Sequence, residues 1–111
     1  MLKDSRFENN GLLLVASTHA SYIAIRIYDN KYIQSLNPVT NLLVDKEELL
    51  AIYNAVTRAK VINQEVENLS FSPIDGENVV RLTVYNHEFD LDYAWLKHVF
   101  EMFFSEAQAL N

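Results

Sequence analysis

The chain is expected to fold as an α+β domain in which antiparallel strands and two helices recur as a ββββα-βββα pseudo-repeat. Three observations lead there. Ile23-Ala24-Ile25-Arg26-Ile27-Tyr28-Asp29-Asn30 and Val80-Arg81-Leu82-Thr83-Val84-Tyr85-Asn86-His87 share one alternation of apolar and polar residues, the period of a half-buried strand. An Asp-led segment with apolar residues at helical spacing follows each, at Asp45 and at Asp92, as an amphipathic helix requires. Turn-forming pairs such as Asp29-Asn30, Asn37-Pro38 and Asp75-Gly76 separate short apolar runs.

The first unit, about residues 11–61, opens with a strand over Gly11 to Ala16 and a polar turn over Ser17 to Ser21. Tyr22 to Tyr28 is the clearest strand, with Ile23, Ile25 and Ile27 on the core side and Tyr22, Ala24, Arg26 and Tyr28 on the other. Asp29-Asn30 tolerate the backbone of a tight hairpin, so Tyr32 to Leu36 is expected to return as a third strand. Asn37-Pro38 turns the chain again, and Asn41 to Val44 makes a fourth. Asp45 with Glu48 three positions on predicts a capping box and a helix start. Leu49, Leu50, Ile52, Tyr53 and Val56 form its apolar face, and the helix should end near Lys60 to Ile62.

The second unit, about residues 69–110, is expected to be one strand shorter. Residues 63–68 are polar and read as a connection, and Leu69 to Ser72 as a strand closed by Pro73 and the Asp75-Gly76 turn. Val79 to Tyr85 repeats the earlier alternation, Asn86-His87 turns, and Glu88 to Leu91 returns with Phe89 and Leu91 inward. Asp92 is expected to cap the last helix. Its stripe of Trp95, Leu96, Val99, Phe100, Phe103 and Ala107, flanked by Met102 and Phe104, is wider than one sheet face requires, so part of it is expected to meet a second surface.

Composition fits a single domain over residues 1–111: half of the 111 residues are apolar, with two Gly and two Pro. No Cys is present, which excludes disulfides and thiolate metal sites and favours a cytoplasmic life. Charged residues in Met1 to Asn10 and a longest apolar run of only Leu12 to Ala16 argue against export and membrane insertion. Net charge is −6; residues 1–55 hold 5 basic and 6 acidic side chains and residues 56–111 hold 4 and 9. That balance disfavours generic binding to phosphate backbones and suits solubility or a basic partner.

In order of elements the chain resembles the whirly and PC4-like single-stranded nucleic-acid binders and the PUR repeats, which use a ββββα unit in pairs. The resemblance implies a sheet platform for unpaired bases. Tyr22, Arg26 and Tyr28 in the first unit and Arg81 and Tyr85 in the second fall on the non-core sheet face, where aromatic rings stack on bases and Arg meets phosphate.

A second candidate surface is acidic. Glu88, Asp90 and Asp92 alternate with Phe89 and Leu91, placing three carboxylates on one side of a strand as a ridge for a basic protein partner. His19, His87 and His98 have no partner at helical spacing and the chain has only two glycines, so no metal site, phosphate cradle or cofactor is expected. Trp95, Phe103 and Phe104 are the candidates for self-association as a homodimer. The expected function is non-catalytic: a small acidic binding protein of the inhibitor, immunity or adaptor type found in bacteria and their phages. Single-stranded nucleic-acid binding through the sheet is the alternative.

Overall fold

Each half of the chain builds an antiparallel sheet from hairpins and closes it with a helix. The computed structural model describes residues 1–33, 36–74 and 78–111. β1 (Ser5–Asn9), β2 (Leu12–Thr18), β3 (Ile23–Asp29) and β4 (Thr40–Val44) lie side by side in that order and lead into α1 (Lys46–Arg58). β5 (Gln64–Val66), β6 (Leu69–Pro73), β7 (Val79–Val84) and β8 (His87–Asp92) form the second sheet, also in sequence order, and lead into α2 (Tyr93–Ala107). The architecture is α+β with a ββββα-ββββα pattern.

The second unit is therefore complete rather than one strand short. Gln64–Val66, expected to be a connection, pairs with β6 across a two-residue turn at Glu67-Asn68, with Glu67 at φ 55°. The first unit has four strands, but not the four expected. Ser5–Asn9 alternates half-buried with exposed residues and turns Phe7 onto Phe103, edge to face at 5.3 Å. It meets β2 through Asn10-Gly11, both at positive φ (45° and 87°), the geometry of the hairpin turn that Asn-Gly favours. A Cβ on Gly11 would lie 2.8 Å from the Lys31 Cα, so glycine is required there twice over.

The expected third strand, Tyr32 to Leu36, does not form over the described part of that stretch; Gln34 and Ser35 lie outside the described residues. Asp29-Asn30 is not a hairpin turn either. Asp29 stays in β3 opposite Leu12, Asn30 N–H donates to the Gly11 carbonyl at 2.7 Å, and the Asp29 carboxylate accepts from Lys31 N–H at 3.0 Å. That local bond draws the backbone away from a ladder, and Tyr32 and Ile33 are left exposed. β3 instead pairs with β4, from Ile27 opposite Thr40 to Ile23 opposite Val44. The last hairpin turns at Tyr85-Asn86, not Asn86-His87: Val84 faces His87, and Tyr85 has φ 55°. The expected Asp75-Gly76 turn lies outside the described residues.

Asp45 caps α1 as expected, accepting from Glu48 N–H at 2.8 Å while the Glu48 carboxylate accepts from Asp45 N–H at 3.2 Å. α1 ends at Arg58 with Ala59 as its C-cap. Asp92 holds the corresponding position before α2, but its side chain makes no capping bond.

A single buried cluster joins the two units. Ile23, Ile25 and Ile27 of β3, Val80, Leu82 and Val84 of β7, Leu49, Ile52 and Val56 of α1, and Leu96, Val99, Phe100 and Phe103 of α2 all belong to it. The wide apolar arc of α2 is accounted for within the chain: Phe103 meets Phe7 of β1, and Phe104 stacks on Tyr53 of α1 at 5.6 Å and 4°. No described helix is long and apolar enough to cross a membrane.

The two units differ in length where they matter to one another. With Ile23–Ile27 set against Val80–Val84, β3 runs on through Tyr28 and Asp29, opposite Leu13 and Leu12, whereas β7 stops at Val84 opposite Leu69. The β3–β4 connection spans residues 30–39, while Tyr85-Asn86 alone joins β7 to β8. The first hairpin and the first connection thus reach further than their counterparts.

Candidate functional site at the junction of the units

Those longer segments end on β8. Asn9 exchanges two bonds with Asp92: the amide Nδ2 donates to Oδ2 at 3.2 Å, and Asp92 N–H donates to the Asn9 Oδ1 at 3.1 Å. This pairing draws Asp92 away from its expected capping role. Asn10 Nδ2 donates to the Asp90 carbonyl at 2.8 Å, and Lys31 Nζ donates to the Glu88 carbonyl. Alternate backbone groups along the outer edge of β8 are therefore met by side chains from the first unit.

Behind that seam, His87 Nδ1 lies 2.7 Å from Asp29 Oδ2, and Lys31 Nζ lies 3.5 Å from the same oxygen and 4.5 Å from the Phe89 ring centroid. Burial works to raise the Asp29 pKa, but the His87 hydrogen bond, the Lys31 N–H and the charges of Lys31 and His87 together hold it below 3.8.

In front of the seam opens a cleft of about 490 Å³ lined by Asn10, Lys31, Tyr32, Arg81, Glu88 and Asp90. Arg81 grips Asp90 through two nitrogens, Nε at 2.8 Å and Nη2 at 3.2 Å. This bidentate pair is geometrically specific. It lowers the Asp90 pKa, chiefly through the hydrogen bond, and raises that of Arg81 for the same reason. Tyr32 is 94 % exposed at the rim. The cleft presents one aromatic ring, one lysine, a neutralised Arg–Asp pair and the Glu88 carboxylate, a mixture suited to reversible polar contact.

Glu88, Asp90 and Asp92 are all exposed on β8, alternating with buried Phe89 and Leu91. Two of the three are already engaged, Asp90 by Arg81 and Asp92 by Asn9. The alternative nucleic-acid set is divided between sheets. Arg26 and Tyr28 lie on β3 of the first, but Tyr22, expected on the same strand, falls in the turn just before it: Tyr22 stacks on His19 at 4.6 Å, and Arg26 pairs with Asp4 at 2.9 Å while its other nitrogen reaches the Tyr28 hydroxyl at 3.4 Å. Leu13 and Val15 are buried on this outer face, where their cross-strand neighbours are Arg6, Glu8, Arg26 and Tyr28. Arg81 and Tyr85 belong to the second sheet, with Tyr85 on the β7–β8 turn.

The self-association set is likewise dispersed. Phe103 is fully buried and Phe104 lies on Tyr53. Trp95 is half-buried in a separate cleft with Lys60, Asn78 and Tyr93. Among the described residues no group of three or more His, Asp or Glu is arranged to hold a metal ion.

Sequence reasoning missed Asn10, Asp29, Lys31, Tyr32 and His87 as parts of one site. Asn10-Gly11 did carry a readable signal, the strongest short hairpin dipeptide. Asp29, Lys31 and His87 had none, because they meet their partners across 57 or 58 positions. No family model, curated protein or solved structure matches the chain.

Proposed function

We propose that the protein is a non-catalytic binding protein that contacts another protein across the β8 side of the second sheet, with Glu88, Asp90 and Tyr32 on the contact surface. The observation that supports this reading is the state of the two arginines on the outer sheet faces. Arg26 is paired with Asp4 and Arg81 with Asp90, so a phosphate backbone would have to displace a carboxylate from each. A protein partner can instead extend such pairs into a mixed-charge network without breaking them. The net charge of −6 favours a partner with a basic surface.

One finding favours single-stranded nucleic acid as a second reading. The second unit has all four strands, which brings the chain closer to the paired ββββα arrangement of the whirly, PC4-like and PUR proteins.

Fluorescence anisotropy of labelled single-stranded DNA and RNA, together with quantitative affinity capture from a native extract, separates the two. Under the protein-partner reading, the Glu88→Lys/Asp90→Lys double variant loses the captured protein and Arg26→Ala/Tyr28→Ala retains it. Under the nucleic-acid reading, binding is steeply salt-dependent and Arg26→Ala/Tyr28→Ala abolishes it. Silence of the wild type in both assays would sink both.

A further inference from the structure

The two units build the same junction twice, with opposite results. Each opens with a hairpin of two turn residues, Asn9 facing Leu12 across Asn10-Gly11 and Val66 facing Leu69 across Glu67-Asn68. Asn10 and Glu67 hold the same place in it, both at positive φ, 45° and 55°. Each tip lies by the aspartate that precedes a helix, Asp92 for the first and Asp45 for the second. Asn10 donates to the Asp90 carbonyl and Asn9 exchanges bonds with Asp92, which closes β8. Val66 and Glu67 cannot do this for β4, because valine has no polar group and an ionised carboxylate has no proton to donate. Nor does Lys31 have a counterpart, since Tyr85-Asn86 alone joins β7 to β8.

β4 is left as an open edge. It pairs only with β3, and its sequence, Thr40-Asn41-Leu42-Leu43-Val44, has no charged residue. Among the described residues no hydrogen bond reaches its backbone on the side away from β3. Charges on β1 and the short length of β5 guard the other edges. At the end of β4, Asp45, Glu48 and Glu67 gather three carboxylates. Burial of Glu67, then the charge and hydrogen bond of Glu48 and the charge of Asp45, push its carboxyl above the usual range. Among the described residues none of the three is in an ion pair, nor is Lys46 next to them in sequence. They are not arranged to hold a metal ion.

We propose that β4 receives an extended segment of another protein as a fifth strand of the first sheet, antiparallel to β4, with a Lys or Arg at the start of that segment seated among Asp45, Glu48 and Glu67. This contact is separate from, and independent of, the β8 surface proposed above. Unpaired main-chain donors and acceptors on an edge call for an extended strand as the occupant. Every strand pairing among the described residues is antiparallel, and an antiparallel addition brings the first residue of the segment beside Asp45. Charge then selects the occupant. Three clustered carboxylates repel one another, and a cation from the partner turns that repulsion into attraction. A second copy brings none, because β4 paired with its own image would set Asn37-Pro38-Val39 at that end. Leu43, 62 % exposed on the outer face, offers an apolar neighbour to the incoming strand.

Selection from a phage-displayed library of random short peptides, with the purified protein as bait, tests this. The enriched sequences are expected to begin with Lys or Arg and continue with β-branched or aromatic residues. A synthetic peptide of that sequence should slow amide exchange in β4. Methylating its alternate backbone nitrogens should abolish binding for one edge of the peptide and not for the other, because only one edge of an added strand faces β4. Glu67→Lys should weaken the peptide by about tenfold or more, the effect of losing one close charge pair, with circular dichroism checking that this exposed position tolerates the change. No enrichment, enriched peptides without a leading Lys or Arg, or binding that Glu67→Lys leaves unchanged would overturn the proposal. Exchange that slows in β8 instead of β4 would also overturn it and assign the basic segment to the cleft. So would a wild type that sediments as a dimer with its β4 amides already protected, which would give the edge to a second copy.

Discussion

Asp29 Oδ2 and His87 Nδ1 lie 2.7 Å apart and join the end of β3 to the start of β8 across 58 positions of sequence. The bond ties the two units together beside their shared core, and Lys31 reinforces it from the same side.

Asp29→Ala should therefore lower stability by about 1 kcal/mol, a charged hydrogen bond discounted for the partial exposure of His87. The pH dependence has a definite sign. The Asp29 carboxyl is held below 3.8 in the folded chain, so its contribution is complete above 3.8 and is lost as the pH falls through the lower folded value. Urea unfolding across the acid range should show the wild type losing more stability below 3.8 than Asp29→Ala does.

Glu67 should behave in the opposite sense. Burial first, and then the charge and hydrogen bond of Glu48 with the charge of Asp45, raise its pKa above 4.5. A raised acid disfavours the folded state once it ionises, so the penalty appears as the pH rises past 4.5. Glu67→Gln should raise the melting temperature at neutral pH and change little in acid. Glu67→Asn should add about 1 kcal/mol more, because Asn accepts the positive φ of 55° more readily.

Gly11→Ala is expected to cost at least about 2 kcal/mol, since it combines a positive φ with a close approach to Lys31. Because Lys31 also reaches the Glu88 carbonyl, amide exchange in β8 should quicken along with the global loss. A loss confined to the β1–β2 hairpin would contradict this linkage.

The two aspartates before the helices should be unequal. Asp45→Ala removes a reciprocal capping box and should lower stability by about 1 kcal/mol. Asp92→Ala removes a bond to Asn9 instead of a cap, so helicity should fall with the first variant and stay with the second. Denaturation followed by circular dichroism distinguishes them.

Much of this fold was legible because it is written locally. The alternation of Ile23, Ile25 and Ile27 and that of Val80, Leu82 and Val84 fix which face is buried, and the Asp45–Glu48 pair fixes a helix start. The stretch Tyr32 to Leu36 misled because its residue types favour strands, while Asp29 turns the backbone locally and β4 takes the pairing. β1 and β5 were hidden for the converse reason. Their residues are mostly polar, and only tertiary partners, Phe103 for Phe7 and β6 for Gln64–Val66, make strands of them. Glu88, Asp90 and Asp92 were read correctly as exposed, but what neutralises Asp90 and holds Asp92 depends on Arg81 and Asn9 being brought alongside.

The cover that Asn9, Asn10 and Lys31 lay over β8 occupies the Asp92 N–H and the Asp90 and Glu88 carbonyls. The outer margin of that strand therefore has no row of vacant main-chain groups for another chain to extend, and any contact made across it falls to side chains rather than to a shared ladder.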